Sequence, residues 1–114
     1  LKEMNLDNVT YTFTGDSNAA TEFVIANLAV STYRSAKYHI QVTNTTDSSY
    51  QVSEVMLVHN GTTSNINEYG LVYSDSPLAN IKTDVSGGNA RVILNNVGDS
   101  DNYEVNIAVK ALTT

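Results

Sequence analysis

Cysteine and tryptophan are both missing from this 114-residue chain, and it holds a single proline. Without cysteine there is no disulfide framework, thiol nucleophile, zinc ribbon or iron–sulfur site, so stability must come from a packed core. The length is enough for one such core, and a single domain over 1–114 is expected. Because the sequence opens at Leu1 rather than methionine, it is either processed or a segment of a longer polypeptide. Long apolar runs are missing too. None approaches the roughly 20 residues that cross a bilayer, and no basic segment followed by an apolar one stands at the front. The chain is therefore expected to be soluble, with no membrane partner. Basic residues are scarce, six against twelve acidic ones, for a net charge of −6. A phosphate-binding surface needs clustered Lys and Arg, and here they are scattered, which excludes nucleic acid as a partner.

What the chain does have is period-two alternation. Between Tyr33 and Gly61, Ala36, Tyr38, Ile40 and Val42 alternate with Ser35, Lys37, His39, Gln41 and Thr43, the pattern of a strand with one dry face. The polar cluster Asn44 to Ser49 turns the chain, and a second strand runs from Tyr50 to His59. There Tyr50 and Val52 share one parity and Val55 and Leu57 the other. A β-bulge near Ser53 and Glu54 would restore one inward face; alternatively Met56 and Val58 are also covered, by another layer or another subunit. The bulge is the preferred reading. Asn60-Gly61 then suits a hairpin into a third strand.

Elsewhere, Val9 to Gly15 reads as a first strand, and in Glu22 to Val30 the spacing of Phe23, Ile25, Leu28 and Val30 fits a strand with a slip or a single helical turn, the strand being the preferred reading. Asn65 to Ser74 carries apolar groups on both parities. Leu78 to Val85 and the run around Ala90, Val92 and Leu94 form a pair joined at Ser86-Gly87-Gly88-Asn89. After a polar loop over 95–102, Tyr103 to Lys110 alternates most regularly of all, which predicts that Val105 and Ile107 are buried and Glu104 and Asn106 face outward. No segment shows a capped apolar stripe of helical period. The fold class is all-β, an antiparallel β-sandwich of about eight strands with jelly-roll-like character. Lys37, Lys82 and Lys110 serve as guards of edges or faces. Apolar residues on both parities over 55–58 and 66–73 predict a homo-oligomer.

Few residues offer chemistry. His39 and His59 could converge with Glu54 or Glu68 as metal ligands or as an acid–base pair, but no ligand-type spacing supports this over two solvated strand residues. Asp99-Ser100-Asp101-Asn102, with Glu104 beyond, could offer oxygens to calcium, yet the glycine and the spaced bidentate glutamate of a recognised loop are missing. Asn8-Val9-Thr10, Asn44-Thr45-Thr46 and Asn60-Gly61-Thr62 match the glycosylation sequon, as expected by chance in a chain rich in Asn and Thr. The tyrosines could furnish a sugar-stacking platform, although Tyr38, Tyr50, Tyr69 and Tyr103 fit core or interface positions more simply. No catalytic, cofactor-binding or metal-binding residue is assigned.

The runs YRSAKYHIQVTN, YQVSEVMLVHNGTT and EYGLVYSDSPLANIKTDVSGGNARVIL resemble a module of tail-fibre and other virion structural proteins of contractile-tailed phages, notably those of marine cyanobacteria. The resemblance covers roughly Leu28 to Leu94, and beyond Leu94 the sequence departs from it. It implies a non-enzymatic building block of a virion, in fibre, baseplate or head, that assembles with itself and with other virion proteins and needs no cofactor. The alternative is a carbohydrate- or receptor-binding β-sandwich, with a host surface glycan as partner.

Overall fold

Alternation of dry and wet side chains dictates strands that bury one face each, and two sheets packed face to face satisfy all of them. The computed structural model describes residues 3–15, 22–96 and 100–114. Within them are eight strands and no helix: β1 Glu3–Thr14, β2 Glu22–Ala29, β3 Tyr33–Asn44, β4 Ser49–His59, β5 Ser64–Tyr73, β6 Ala79–Ser86, β7 Asn89–Asn96 and β8 Asn102–Thr113. One sheet has the order β1-β8-β3-β4-β5 and the other β2-β7-β6. All pairings are antiparallel.

The first and last strands pair in the large sheet while β2 and β7 pair in the small one, so the two ends of the chain form a doubled ribbon wrapped over the core. This is the winding of a jelly roll. The sheets are unequal because β4 and β5 follow β3 as a meander instead of crossing over. Between the sheets lie Ile25, Leu28, Tyr38, Ile40, Val42, Val55, Leu57, Val92, Leu94, Tyr103, Val105 and Ile107, all buried. The rings of Tyr11, Phe23, Phe13 and Tyr103 extend this core in a chain of contacts 5.1–6.1 Å apart.

The β2 slip is present, as a register shift between Val24 and Ala26 that lets both Ile25 and Leu28 point inward. The β6–β7 hairpin turns at Gly87 and Gly88, both at positive φ, which a two-residue turn of matching twist requires. β8 is central and buries Val105 and Ile107 as its alternation predicts.

The expected bulge in β4 is absent. β3 and β4 pair without interruption from Asn44↔Ser49 to Ser35↔Val58. The inward face of β4 is therefore Ser49, Gln51, Ser53, Val55, Leu57 and His59, while Tyr50 and Val52 face out. Polar groups are tolerated inside when they have partners, and these do: Ser53 Oγ donates to Glu68 Oε2 at 2.7 Å and Ser49 Oγ to Asp75 Oδ2 at 3.3 Å. The bulge sits on β5 instead. Val52 faces Val72 and Glu54 faces Tyr69, which leaves Gly70 and Leu71 against Ser53, with Gly70 at φ +65°.

Candidate functional site

The small sheet covers only one side of the large one, so the other face of β8, β3, β4 and β5 stands open. Register fixes what it displays. Across the middle run Asn106, Gln41, Val52 and Val72, each the partner of the next, with Thr10 beyond Asn106 on β1. Toward one end the rows hold Glu104, Thr43 and Tyr50; toward the other, Ala108, His39, Glu54 and Tyr69, then Lys110, Lys37 and Met56, then Leu112, Ser35 and Val58.

Among the described residues, two neighbouring depressions lie along the middle of this face. One, of about 360 Å³, is lined by Gln41, Tyr50, Val52, Val72 and their neighbours Tyr73 and Ser74. The other, of about 200 Å³, is lined by His39, Gln41, Asn106, Ile107 and Ala108. Gln41 lines both and stands between them, so the two depressions lie end to end as a shallow trough across the strands. Tyr50 is 52% exposed and Val72 62%. Asn106 accepts from Thr10 Oγ1 at 2.6 Å, whereas the Gln41 amide has no partner among the described residues.

Beside the trough, Glu54 binds two donors. Lys37 Nζ lies 3.0 Å and the Tyr69 hydroxyl 2.9 Å from its Oε2. The Lys37 hydrogen bond, followed by that of Tyr69, holds the Glu54 carboxyl below its ordinary range. The same carboxylate raises the Lys37 ammonium and the Tyr69 phenol. The cluster therefore keeps its charges fixed: an ionised glutamate, a protonated lysine and a neutral phenol.

The residues singled out from sequence separate. His39 is exposed on the outer face opposite Glu54, and His59 is buried on the inner face, so the two histidines cannot share a ligand. His59 Nδ1 accepts the Gly61 N–H at 3.0 Å and Nε2 meets the Tyr33 carbonyl at 2.5 Å, which places the proton on Nε2. Glu68 is taken by Ser53. Tyr38 and Tyr103 are core residues, while Tyr50 and Tyr69 are exposed. Of the proposed calcium oxygens, Asp99 lies outside the described residues, and Asp101 accepts from Asn44 Nδ2 at 2.8 Å. Asn44 is itself buried and caps the β3–β4 turn, so its sequon is closed in the folded chain. In the Asn60 sequon, Asn60 Oδ1 binds the backbone of Thr62 and Thr63; the side chain of Asn8 lies outside the described residues. Lys37 and Lys110 stand on the open face, and Lys82 reaches from edge strand β6 to pair with Glu22 on the opposite edge.

No protein-family model matches the chain, and no curated protein matches it either. Among solved structures, the fold matches a tailspike protein of Acinetobacter baumannii bacteriophage Fri1, described as a capsular polysaccharide depolymerase, with a TM-score of 0.51 and 17% identity over 97% of this chain. The tailspike protein of Acinetobacter phage vB_ApiP_P1 aligns over 98% of this chain at 14% identity and a TM-score of 0.48. The chain spans about a fifth of the length of these proteins, 20% and 22%. The expectation of a non-enzymatic building block is overturned here. The fold occurs within a protein described as a depolymerase, an enzyme, so it gives no ground for excluding catalysis.

Proposed function

We propose that this domain is a module of a phage tail protein of the tailspike kind, acting in the virion through assembly with copies of itself and with other tail proteins. The fold match over nearly the whole chain carries the reading, and the motifs from Tyr33 to Arg91 support it independently. The narrower placement among contractile-tailed or cyanobacterial phages rests on those motifs alone. An apolar patch supplies the contact for self-assembly. Met56 and Val58 are each 48% exposed, and Leu112, across Ser35 from Val58, is similarly open. The Lys37–Glu54–Tyr69 cluster separates this patch from the trough.

Two measurements test it. Sedimentation of the purified chain should show an oligomer that Met56→Lys with Val58→Lys dissociates, and mass spectrometry of purified particles should find the chain in the tail fraction at fixed stoichiometry. A monomeric wild type, or absence from the tail, would count against the respective half of the proposal.

A further inference from the structure

We infer that the trough along Val72, Val52, Gln41 and Asn106 is a binding subsite for an oligosaccharide, one that lies flat across the strands with uncharged sugar rings over Val52 and Val72. The proposal stands on the geometry of the trough and does not depend on how the module assembles.

Three observations select this occupant. First, the register makes the trough long and shallow. It spans three interstrand gaps from β5 to β8, about 14 Å at the usual strand spacing, which suits an extended polymer better than a compact metabolite. Second, its central floor is apolar carbon and amide rather than charge. Val52 and Val72 present methyl groups to the weakly polar faces of sugar rings, Tyr50 stands half exposed at the side to pack against them, and Gln41 supplies an amide for hydroxyls beside Asn106, whose Oδ1 accepts from Thr10 and whose Nδ2 donates to Glu104. The Gln41 amide, without a partner among the described residues, has a donor and an acceptor to offer. An amide that pairs with a hydroxyl discriminates by direction as well as by contact.

Third, the competing occupants fit worse. A peptide captured by strand addition runs along an unpaired ladder edge, whereas the trough runs across the strands: β4, β3 and β8 are paired on both sides, and the free edge of β5 meets the trough only at its end. A polyanion would meet a chain of net charge −6, with Glu104 in one flanking row and, on the other side, Lys37 already neutralised by Glu54. A second copy of the chain is better served by the patch at Met56 and Val58.

The test uses the purified chain on an array of neutral and acidic bacterial capsular and O-antigen polysaccharides, followed by titration with oligosaccharides cut from those retained. The expected result is retention of neutral glycans, with Gln41→Ala and Tyr50→Ala each weakening binding by about tenfold or more. Both positions are exposed, so melting temperatures should stay unchanged, and Asn80→Ala, exposed on the small sheet away from both the trough and the assembly patch, should bind as wild type. Retention of no glycan, retention confined to acidic glycans, or binding indifferent to both substitutions would overturn the proposal. So would a change of oligomeric state in Tyr50→Ala, which would assign the trough to a second copy. None of these outcomes bears on whether the chain resides in a phage tail.

Discussion

Gln51 holds the start of β6 in place of a strand: its Oε1 accepts the Leu78 backbone N–H at 2.6 Å, and its Nε2 donates to the Ala79 carbonyl at 3.2 Å. The side chain is buried and bridges the point where the chain leaves the large sheet for the small one. Gln51→Leu should cost about 2–4 kcal/mol in urea unfolding, because it strands a buried N–H and a buried carbonyl together. A cost below about 1 kcal/mol would mean that water replaces the amide.

Strand β8 tests the register of the whole core. Ile107 packs inside between Ile40 and the facing sheet, and Asn106 lies on the open face. Ile107→Ala should cost about 2–5 kcal/mol through lost transfer and cavity terms, and Asn106→Ala under about 1 kcal/mol. Denaturant midpoints in the reverse order would invert the two faces.

His59 fastens the β4–β5 hairpin to the start of β3. Replacing it with phenylalanine keeps the ring but strands the Gly61 N–H and the Tyr33 carbonyl, at about 2–3 kcal/mol. Hydrogen exchange at Gly61 should accelerate in the variant; unaltered exchange would show that another acceptor serves that N–H.

Asp84 and Arg91 face each other across β6 and β7 in a bidentate pair, Nε to Oδ1 at 2.6 Å and Nη2 to Oδ2 at 2.5 Å. Hydrogen bonding from Arg91 lowers the Asp84 carboxyl. Its folded value therefore lies below the unfolded one, and between the two the unfolded chain binds more protons. The stabilisation is complete above the unfolded carboxyl range and is lost as pH falls through the folded value. From about pH 5 to about pH 3, wild type should lose more melting temperature than Asp84→Asn. The difference should be small because the pair is partly exposed; equal slopes would show no net coupling.

The sequence displayed this fold where one face of a strand is uniformly apolar, as in β8 and in β3 from Ala36 to Val42. It misled in β4, because Ser49, Gln51, Ser53 and His59 are inside and Tyr50 is outside. Hydropathy records the cost of burying a polar group but not the partner that removes that cost, and each of these side chains has one. The shift expected at Ser53 was displaced to Gly70 on the neighbouring strand, where φ +65° is easily reached. The first strand was expected from Val9, yet β1 begins at Glu3, since the far half of β8 offers a ladder for the residues before Val9. The trough was illegible for a simpler reason. Its residues come from four strands, and only the pairing registers bring Gln41, Val52, Val72 and Asn106 into one row.

The pairing of β1 with β8 also fixes how the domain bears load. Glu3 stands opposite Leu112, so the outer ends of the two strands lie side by side at one corner, about 5 Å apart. Tension applied at that corner peels the ladder open one hydrogen bond at a time, the weak direction of a sheet, instead of shearing all of them at once. Pulled by Glu3 and Leu112, the sandwich yields at low force, beginning with β1. Pulled from one end only, with the other free, it hangs as a side appendage and feels almost none.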